Sequence, residues 1–321
     1  MSALAERAAL AAYRAGWFVV RRVPGRVAYR AFDLIADVSW RHGGRSVQRL
    51  RSNYTRVRPD LGPAALDALV REGMRSYLRY WCDAFRLPDV GLQELVETIR
   101  TEGDGPVREQ LATGQGAIMF LGHLGNWDTG GAWSTTQLAP VTTVAERLRP
   151  EELFEQFLAF RESLGIRIIP LTGGNDVFRE LLGALRGGAF VALLADRDLT
   201  RGGVEVDLCG MPARMAVGPA ALAVATGAAL HPVSVFYEPA TGLRGGRRHR
   251  VVIRFHDRVP VPAAGSTRDK VQQMTQACAD ALSGTIRERT QDWHMMQRVF
   301  VEDLDDRAPA GPSLAADRAG T

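Results

Sequence analysis

The stretch LGHLGNWDTGG, residues 121–131, sets one imidazole and one carboxylate five positions apart among four glycines. It follows the apolar run AIMF, so His123 falls just past a short buried strand and Asp128 lands in the first turn of a following helix. In parallel α/β sheets the carboxyl ends of the strands are where ligands bind. Gly122 and Gly125 let the chain turn sharply there and leave room for a substrate carbonyl. A carboxylate bonded to one ring nitrogen would fix the tautomer and leave the other nitrogen to take a proton. A His–Asp pair without a serine nucleophile suits direct attack by a substrate hydroxyl. The chain has no GxSxG elbow, and Cys209 has no basic neighbour in sequence to activate it. The same spacing also fits a helix-capping Asp beside a turn histidine, so the residues alone leave both readings open.

The elements that must position this pair follow from periodicity. LAERAALAAYRAGWFVVRRV, stopped by Pro24-Gly25, and RVAYRAFDLIADVSWRH, ended by Gly43-Gly44, both have helical spacing. PAALDALVREGMRSYLRYWCDAFRL predicts a third long helix, closed by Pro88. Beyond about residue 115 short apolar runs alternate with amphipathic stretches. AIMFLG (117–122), VTTVAE (141–146), IRIIPL (166–171), AFVALLA (189–195), ALHPVSVFY (229–237) and RVVIRF (250–255) predict buried strands. PEELFEQFLAFRESLG, NDVFRELLGALRGG and GPAALAVATG predict helices between them. The fold class expected is α/β, a mostly parallel central sheet wrapped by helices, with an N-terminal helical segment. The division expected is residues 1–88 as that segment, 89–303 as the catalytic core and 304–321 as a disordered tail rich in Pro, Ala, Gly and charge.

A chain of 321 residues that is 46% hydrophobic can bury a large core without disulfides or metals. Cys82, Cys209 and Cys278 are scattered without CxxC spacing, which argues against a zinc site and fits a reducing cytoplasm. No second histidine lies at metal-binding spacing, so no metal is expected. No apolar run approaches the roughly 20 residues of a membrane span, and no signal peptide is evident. The net charge of +4 is uneven: twelve Arg against four acidic residues in 1–60 leave the remainder negative. Trp17, Phe18, Tyr29, Trp40 and Tyr54 interleave with arginines there, a pattern that suits an anionic membrane surface and equally a solvated amphipathic helix. Nucleic acid is not expected as a partner, since no recognised binding signature is present.

HLGNWD after a buried strand resembles the HxxxxD box of the lysophospholipid and glycerolipid acyltransferase superfamily. From about residue 10 to residue 300 the chain resembles the phosphatidylinositol mannoside acyltransferases of actinobacteria, relatives of the late lipid A acyltransferases. The resemblance is carried by HGG (42–44), YWCDAFRLP (80–88), GHLGNWD, TTVAERLRPEELFEQFLAFRESLG, ADRDLTRGGVEVDLCG, MAVGPAALAVATGAAL and DWHM (292–295). It implies transfer of a long-chain acyl group from acyl-CoA, a donor substrate rather than a bound cofactor, to a mannose hydroxyl of a phosphoinositide glycolipid. The protein would work as a peripheral enzyme on the cytoplasmic face of the cell membrane. His123 would be the base. The relatives pair it with a Glu in an E-R-D-L stretch; here the stretch is DRDL, so Asp196 holds that position, one methylene shorter. Either the backbone compensates, a water intervenes, or Asp128 becomes the partner.

With phosphates on both substrates, Arg147, Arg161, Arg197 and Arg214 become candidates to hold them bidentately. Glu146 is expected beside them as a substrate-binding residue, while ion pairing of Glu146 and Glu162 with the first two offers the alternative. Trp127, Trp133, Met215, Met295 and Met296 are candidates for an acyl channel, with ordinary core packing as the rival. Asp198 has a simpler rival role as a cap or salt-bridge residue. His294 is expected to be a packed, hydrogen-bonded histidine in a helical context. Oxyanion donors are expected from the Gly122–Asn126 loop or from Arg197. Acceptors other than a mannoside, a lysolipid among them, fit His123 equally well. A non-catalytic Arg-rich binder of anionic surfaces accounts for residues 1–60, and leaves His123, Asp128 and Asp196 without a purpose.

Overall fold

A computed structural model describes residues 16–146, 151–171, 176–199 and 202–304. The first half of the N-terminal helix expected from the sequence and nearly all of the tail lie outside them. Residues 16–22 are helical and end before Pro24. Helix α1 (Gly25–His42) closes on Gly43, whose left-handed φ of 63° turns its amide back onto the carbonyls of Ser39 and Trp40. Helix α2 (Arg45–Val57) lies where the sequence reading placed no element. Helix α3 (Pro63–Arg86) opens on a proline, which has no amide to leave unsatisfied in the first turn. It packs against both α1 and α2.

The α/β core begins with α4 (Leu92–Thr98), β1 (Ile99–Glu102), α5 (Gly105–Ala112), β2 (Ala117–Leu121), α6 (Trp127–Gln137) and β3 (Val141–Glu146). It continues through α7 (Glu151–Ser163), β4 (Arg167–Leu171), α8 (Asp176–Arg186) and β5 (Phe190–Leu194). A two-stranded antiparallel ribbon follows, β6 (Val204–Leu208) and β7 (Met211–Met215), then α9 (Gly218–Thr226), β8 (Ala229–Pro239), β9 (His249–Phe255) and α10 (Thr267–Glu288). The seven-stranded sheet has the order β1-β9-β8-β2-β5-β3-β4. Only β8 and β9 pair antiparallel; the other neighbours run parallel. All six strands read from the sequence are present.

Because side chains alternate along a strand, each strand feeds two cores. Ile118, Phe120, Val191 and Leu193 face α8, α9 and α10 through Leu181, Leu222 and Leu282. Met119, Phe190, Val233, Val235, Ile253 and Phe255 face the other way, toward Ala132 and Trp133 of α6 and Phe160 of α7. The sheet is therefore a middle layer, and β2 at its centre is buried on both faces. The N-terminal helices are fastened to the segment after α10. Asn53 donates to the carbonyls of Met295 and Gln297 at 2.7 and 2.9 Å, and the Tyr54 hydroxyl donates to that of Trp293 at 3.0 Å.

Candidate active site

His123 stands two residues beyond β2, at the carboxyl end of the central strand. Its ring Nδ1 lies 2.5 Å from Asp196 Oδ1, and its backbone amide donates to Asp196 Oδ2 at 2.9 Å. A third donor, the indole N–H of Trp293, reaches Oδ2 at 3.0 Å. Asp196 has no exposed surface, whereas the His123 side chain keeps about a fifth of its own. Burial alone would raise the Asp196 pKa. Attraction to His123 and the hydrogen bonds from His123 and Trp293 outweigh it, so the pKa lies below the ordinary carboxylate value. An ionised carboxylate only accepts, which assigns the ring proton to Nδ1 and leaves Nε2 as the basic nitrogen.

The shorter side chain reaches His123 directly, at the level where β5 runs beside β2. Ala195 donates its amide to the carbonyl of Leu121 at 2.9 Å, which lays the end of β5 beside the His123 loop. Gly122 leaves the space that the carboxylate needs: a Cβ there would sit 3.3 Å from Asp196 Oδ2. Of the three ways to accommodate Asp196, the structure takes direct contact.

Asp128 does something else. It is buried in the first turn of α6, where it accepts from Tyr80 Oη at 2.7 Å and from Arg161 Nε and Nη2 at 2.8 and 3.3 Å. Arg161 is raised above its usual pKa, chiefly by the Asp128 charge and against desolvation. Asn126, not Asp128, caps α6, its Oδ1 accepting from the Thr129 amide at 2.9 Å. Asp128 thus ties α3, α6 and α7 together beside His123.

Between α6 and the sheet lies an apolar chamber. Its floor is Met119 and Leu121 of β2, Phe190, Ala192 and Leu194 of β5, Val233 and Val235 of β8, and Ile253 and Phe255 of β9. Arg161, Asp128 and Trp127 stand at its edge, and the Trp127 ring meets His123 edge-on with centroids 5.7 Å apart. Among the described residues no cluster of three His, Cys, Asp or Glu is placed to hold a metal.

A basic imidazole, its orienting carboxylate and an apolar chamber at one strand end invite comparison with known proteins. The bacterial lipid A biosynthesis acyltransferase family matches residues 3–302. The chain belongs to that family. A relative from Mycobacterium tuberculosis H37Rv is 42% identical over 301 residues, covering 92% of this chain and 89% of its own. One from Mycolicibacterium smegmatis is 39% identical over 299 residues, covering 93% of each. Both carry the name phosphatidylinositol mannoside acyltransferase.

Within this acyltransferase family member, the remaining candidates divide. Trp127 and Arg161 reach the chamber; Trp133, Met215 and Met295 do not line it. Trp133 packs on the same side of the sheet but stacks under Arg108, and Met215 and Met295 sit in the core on the opposite face, since their backbone positions belong to other layers. Arg197 is half-buried directly after Asp196. The Asp198 amide donates to the carbonyl of Arg214, whose own side chain lies 3.7 Å from Glu205. Arg147 and the side chain of Glu146 fall outside the described residues. The His123 and Gly125 amides, expected as oxyanion donors, are already committed, to Asp196 Oδ2 and to the carbonyl of Asp292 at 2.8 Å.

Sequence reasoning missed the second layer of polar groups. Buried Ser76 of α3 donates to Asp292 Oδ1 at 2.5 Å and accepts from His294 Nε2 at 3.0 Å. His294 is in irregular chain after a short 3₁₀ turn, not in a helix, and its amide donates to the His123 carbonyl at 2.8 Å. Burial, with repulsion from Arg79 and His123, pushes its pKa down to about 3, so it is neutral. Trp293 and Asp292 lie nearly 170 residues from His123 in sequence, and only DWHM pointed to them.

Proposed function

We propose that this protein moves a long-chain fatty acyl group from acyl-CoA to a mannose hydroxyl of a phosphatidylinositol mannoside. The observation that carries the reading is the His123–Asp196 pair beside the apolar chamber. In this reaction the hydroxyl oxygen bonds to the thioester carbonyl carbon while His123 Nε2 takes the hydroxyl proton. Asp196 holds the ring and offsets the charge that it gains, and the carbon–sulfur bond then breaks, the thiolate recovering the proton from His123. The acyl chain lies in the chamber, away from water. Arg161, fixed by Asp128 at the chamber edge, meets the polar part of the substrates. The names of the relatives support the acceptor class.

The N-terminal helices supply the surface for a lipid acceptor. Val27, Leu34, Ile35 and Val38 recur on one face of α1 and are all exposed, Leu34 by 62%. Arg26, Arg30 and Arg41 are exposed on the same helix, and Arg22 lies over the exposed Phe18 ring at 4.0 Å. An apolar stripe flanked by guanidinium groups matches the boundary between acyl chains and anionic headgroups. Among the described residues no helix is long and apolar enough to cross a membrane. Acyl-CoA as the proposed donor, together with this exposed stripe, supports a peripheral position on the cytoplasmic leaflet.

The test is transfer of labelled palmitoyl from palmitoyl-CoA to purified phosphatidylinositol mannosides, comparing wild type with folded His123→Ala. Transfer by wild type alone is expected. Equal transfer by both would remove His123 as the base. Absence of transfer by either, with transfer to other lysolipids, would move the acceptor class.

A further inference from the structure

The chamber exists because α6 does not fill it. Trp127, Gly130, Gly131 and Ser134 of α6 all line it. Their spacing is i, i+3, i+4, i+7, the face that a sheet-covering helix ordinarily furnishes with large apolar side chains. After Trp127 this helix presents no large side chain there. Neither Gly130 nor Gly131 has a positive φ, so the backbone does not require glycine at either place. Glycine inside a helix lowers its stability relative to alanine. What the two positions gain is room. A Cβ on Gly130 would meet Ile253 Cδ1 at 3.6 Å and Val235 Cγ2 at 3.9 Å, toward β8 and β9. One on Gly131 would meet Ile166 Cδ1 at 3.0 Å, toward β3 and β4. The two glycines thus sit where the chamber passes beneath the helix from one side to the other.

The strand register gives the distance from His123 to the far lining residues Phe190 and Val141. Leu121 pairs with Leu194 beside His123, while Phe190, four residues lower on β5, pairs with Val141 of β3. From the level of His123 to Val141 is six residues along the strands and two strands across. At about 3.3 Å per residue and about 4.8 Å per strand, this diagonal is on the order of 22 Å. An extended alkyl chain advances roughly 1.25 Å per carbon, from a C–C bond of about 1.52 Å. A straight chain of about 17 or 18 carbons spans that diagonal.

We propose that Gly130 and Gly131 are the specificity-determining residues of the chamber, admitting a long unbranched acyl chain that crosses beneath α6 to end against Phe190 and Val141. The proposal rests on the acyl-transfer reading and goes beyond it by naming what selects the chain. A methyl group at Gly131 closes the crossing against Ile166. Chains too short to reach the helix are unaffected by it.

The experiment compares straight-chain acyl-CoA donors of eight to eighteen carbons in wild type, Gly130→Ala and Gly131→Ala. Thermal shifts with the free octanoic and hexadecanoic acids are measured in parallel. In Gly131→Ala, kcat/KM for the sixteen-carbon donor relative to the eight-carbon donor is expected to fall by about tenfold or more, the scale of one methylene in a closed apolar pocket. The larger thermal shift given to wild type by hexadecanoic acid should shrink in step. Gly130→Ala meets no clash and therefore folds in any case; it is expected to move the profile the same way by less. An unchanged profile, or a loss equal for all lengths, would overturn the proposal. If wild type transfers no acyl chain at all, the functional reading fails. The fatty-acid shifts then still decide the chamber: equal shifts for both acids, or a length preference kept in both variants, would overturn it.

Discussion

Asp196 combines full burial with three donors on two oxygens, so its shape is as constrained as its charge. Asp196→Asn removes the charge and turns one oxygen into a donor facing the His123 amide or ring. Transfer should fall by about 10²–10⁴ while the fold survives, measured as kcat beside circular dichroism. Asp196→Glu inserts a methylene into a site closed by Gly122 and Trp293. It should lower stability by about 1–3 kcal/mol in urea unfolding and fail to raise kcat. Asp128→Ala separates the two carboxylates experimentally. It strands Arg161 and the Tyr80 hydroxyl, and should destabilise the fold by roughly 3 kcal/mol, more than Asp196→Asn does. The opposite ranking would mean that Asp128 serves the histidine and Asp196 the framework.

At the level of elements, the loop from β2 into α6 depends on Gly125. Its φ of 54° is in the left-handed region, and a Cβ there would lie 2.5 Å from the Val235 carbonyl oxygen on β8. Gly125→Ala should therefore lose about 2 kcal/mol or more, from strain and from the displaced strand together. Gly130→Ala in the same helix has the opposite sign. With no strain at the backbone it should add up to about 1 kcal/mol of stability in urea unfolding, while narrowing the chamber. Six of the seven strands of the sheet, α3 and the position of His123 were legible in the sequence because each rests on local periodicity or a strand-end motif, whereas the four-residue edge strand β1 was not. The unpredicted elements rest on other information. α2 is strongly polar, with Val47, Leu50, Tyr54 and Val57 as its only buried apolar residues, the β6–β7 ribbon turns on Cys209-Gly210 with φ of 55° and 81°, and α10 opens on its Ser266–Asp269 capping box. The pairing of His123 with Asp196 rather than Asp128 was not legible from spacing, since it depends on the parallel register that brings β5 beside β2. Trp133, Met215 and Met295 looked like channel residues by side-chain type, but which face of the sheet each one meets is decided by that same long-range packing.

For the molecule as a whole, the buried histidines make acid the weak side of its stability. His231, His249, His256 and His294 all have pKa values lowered first by burial, His249 to about 4 and His294 to about 3. An unfolded chain protonates these rings near pH 6.5, whereas the folded chain does so only at lower pH, at about 4 for His249 and about 3 for His294. Between those limits the unfolded state binds more protons, so stability falls as the pH falls. Asp196, lowered in the fold, adds a loss of the same sign below its unfolded value near 3.8. Asp292 and Asp33, raised chiefly by burial, oppose this: they favour the fold as pH falls toward the same value. Each ring that stays neutral in the fold while the unfolded chain is protonated costs about 1.4 kcal/mol for every pH step of one. The histidine contribution therefore acts between pH 6.5 and about 4, where His249 and His294 stay neutral in the fold. The urea midpoint should fall steadily from pH 7.5 to pH 4.5. His249→Gln should flatten that fall; its ring packs against Tyr237, whose hydroxyl accepts from Asn126 of the His123 loop, so kcat measured alongside separates any effect on the site. A midpoint independent of pH over this range would mean that these rings titrate in the fold as they do in the unfolded chain, and that the neutral state described for His294 is wrong.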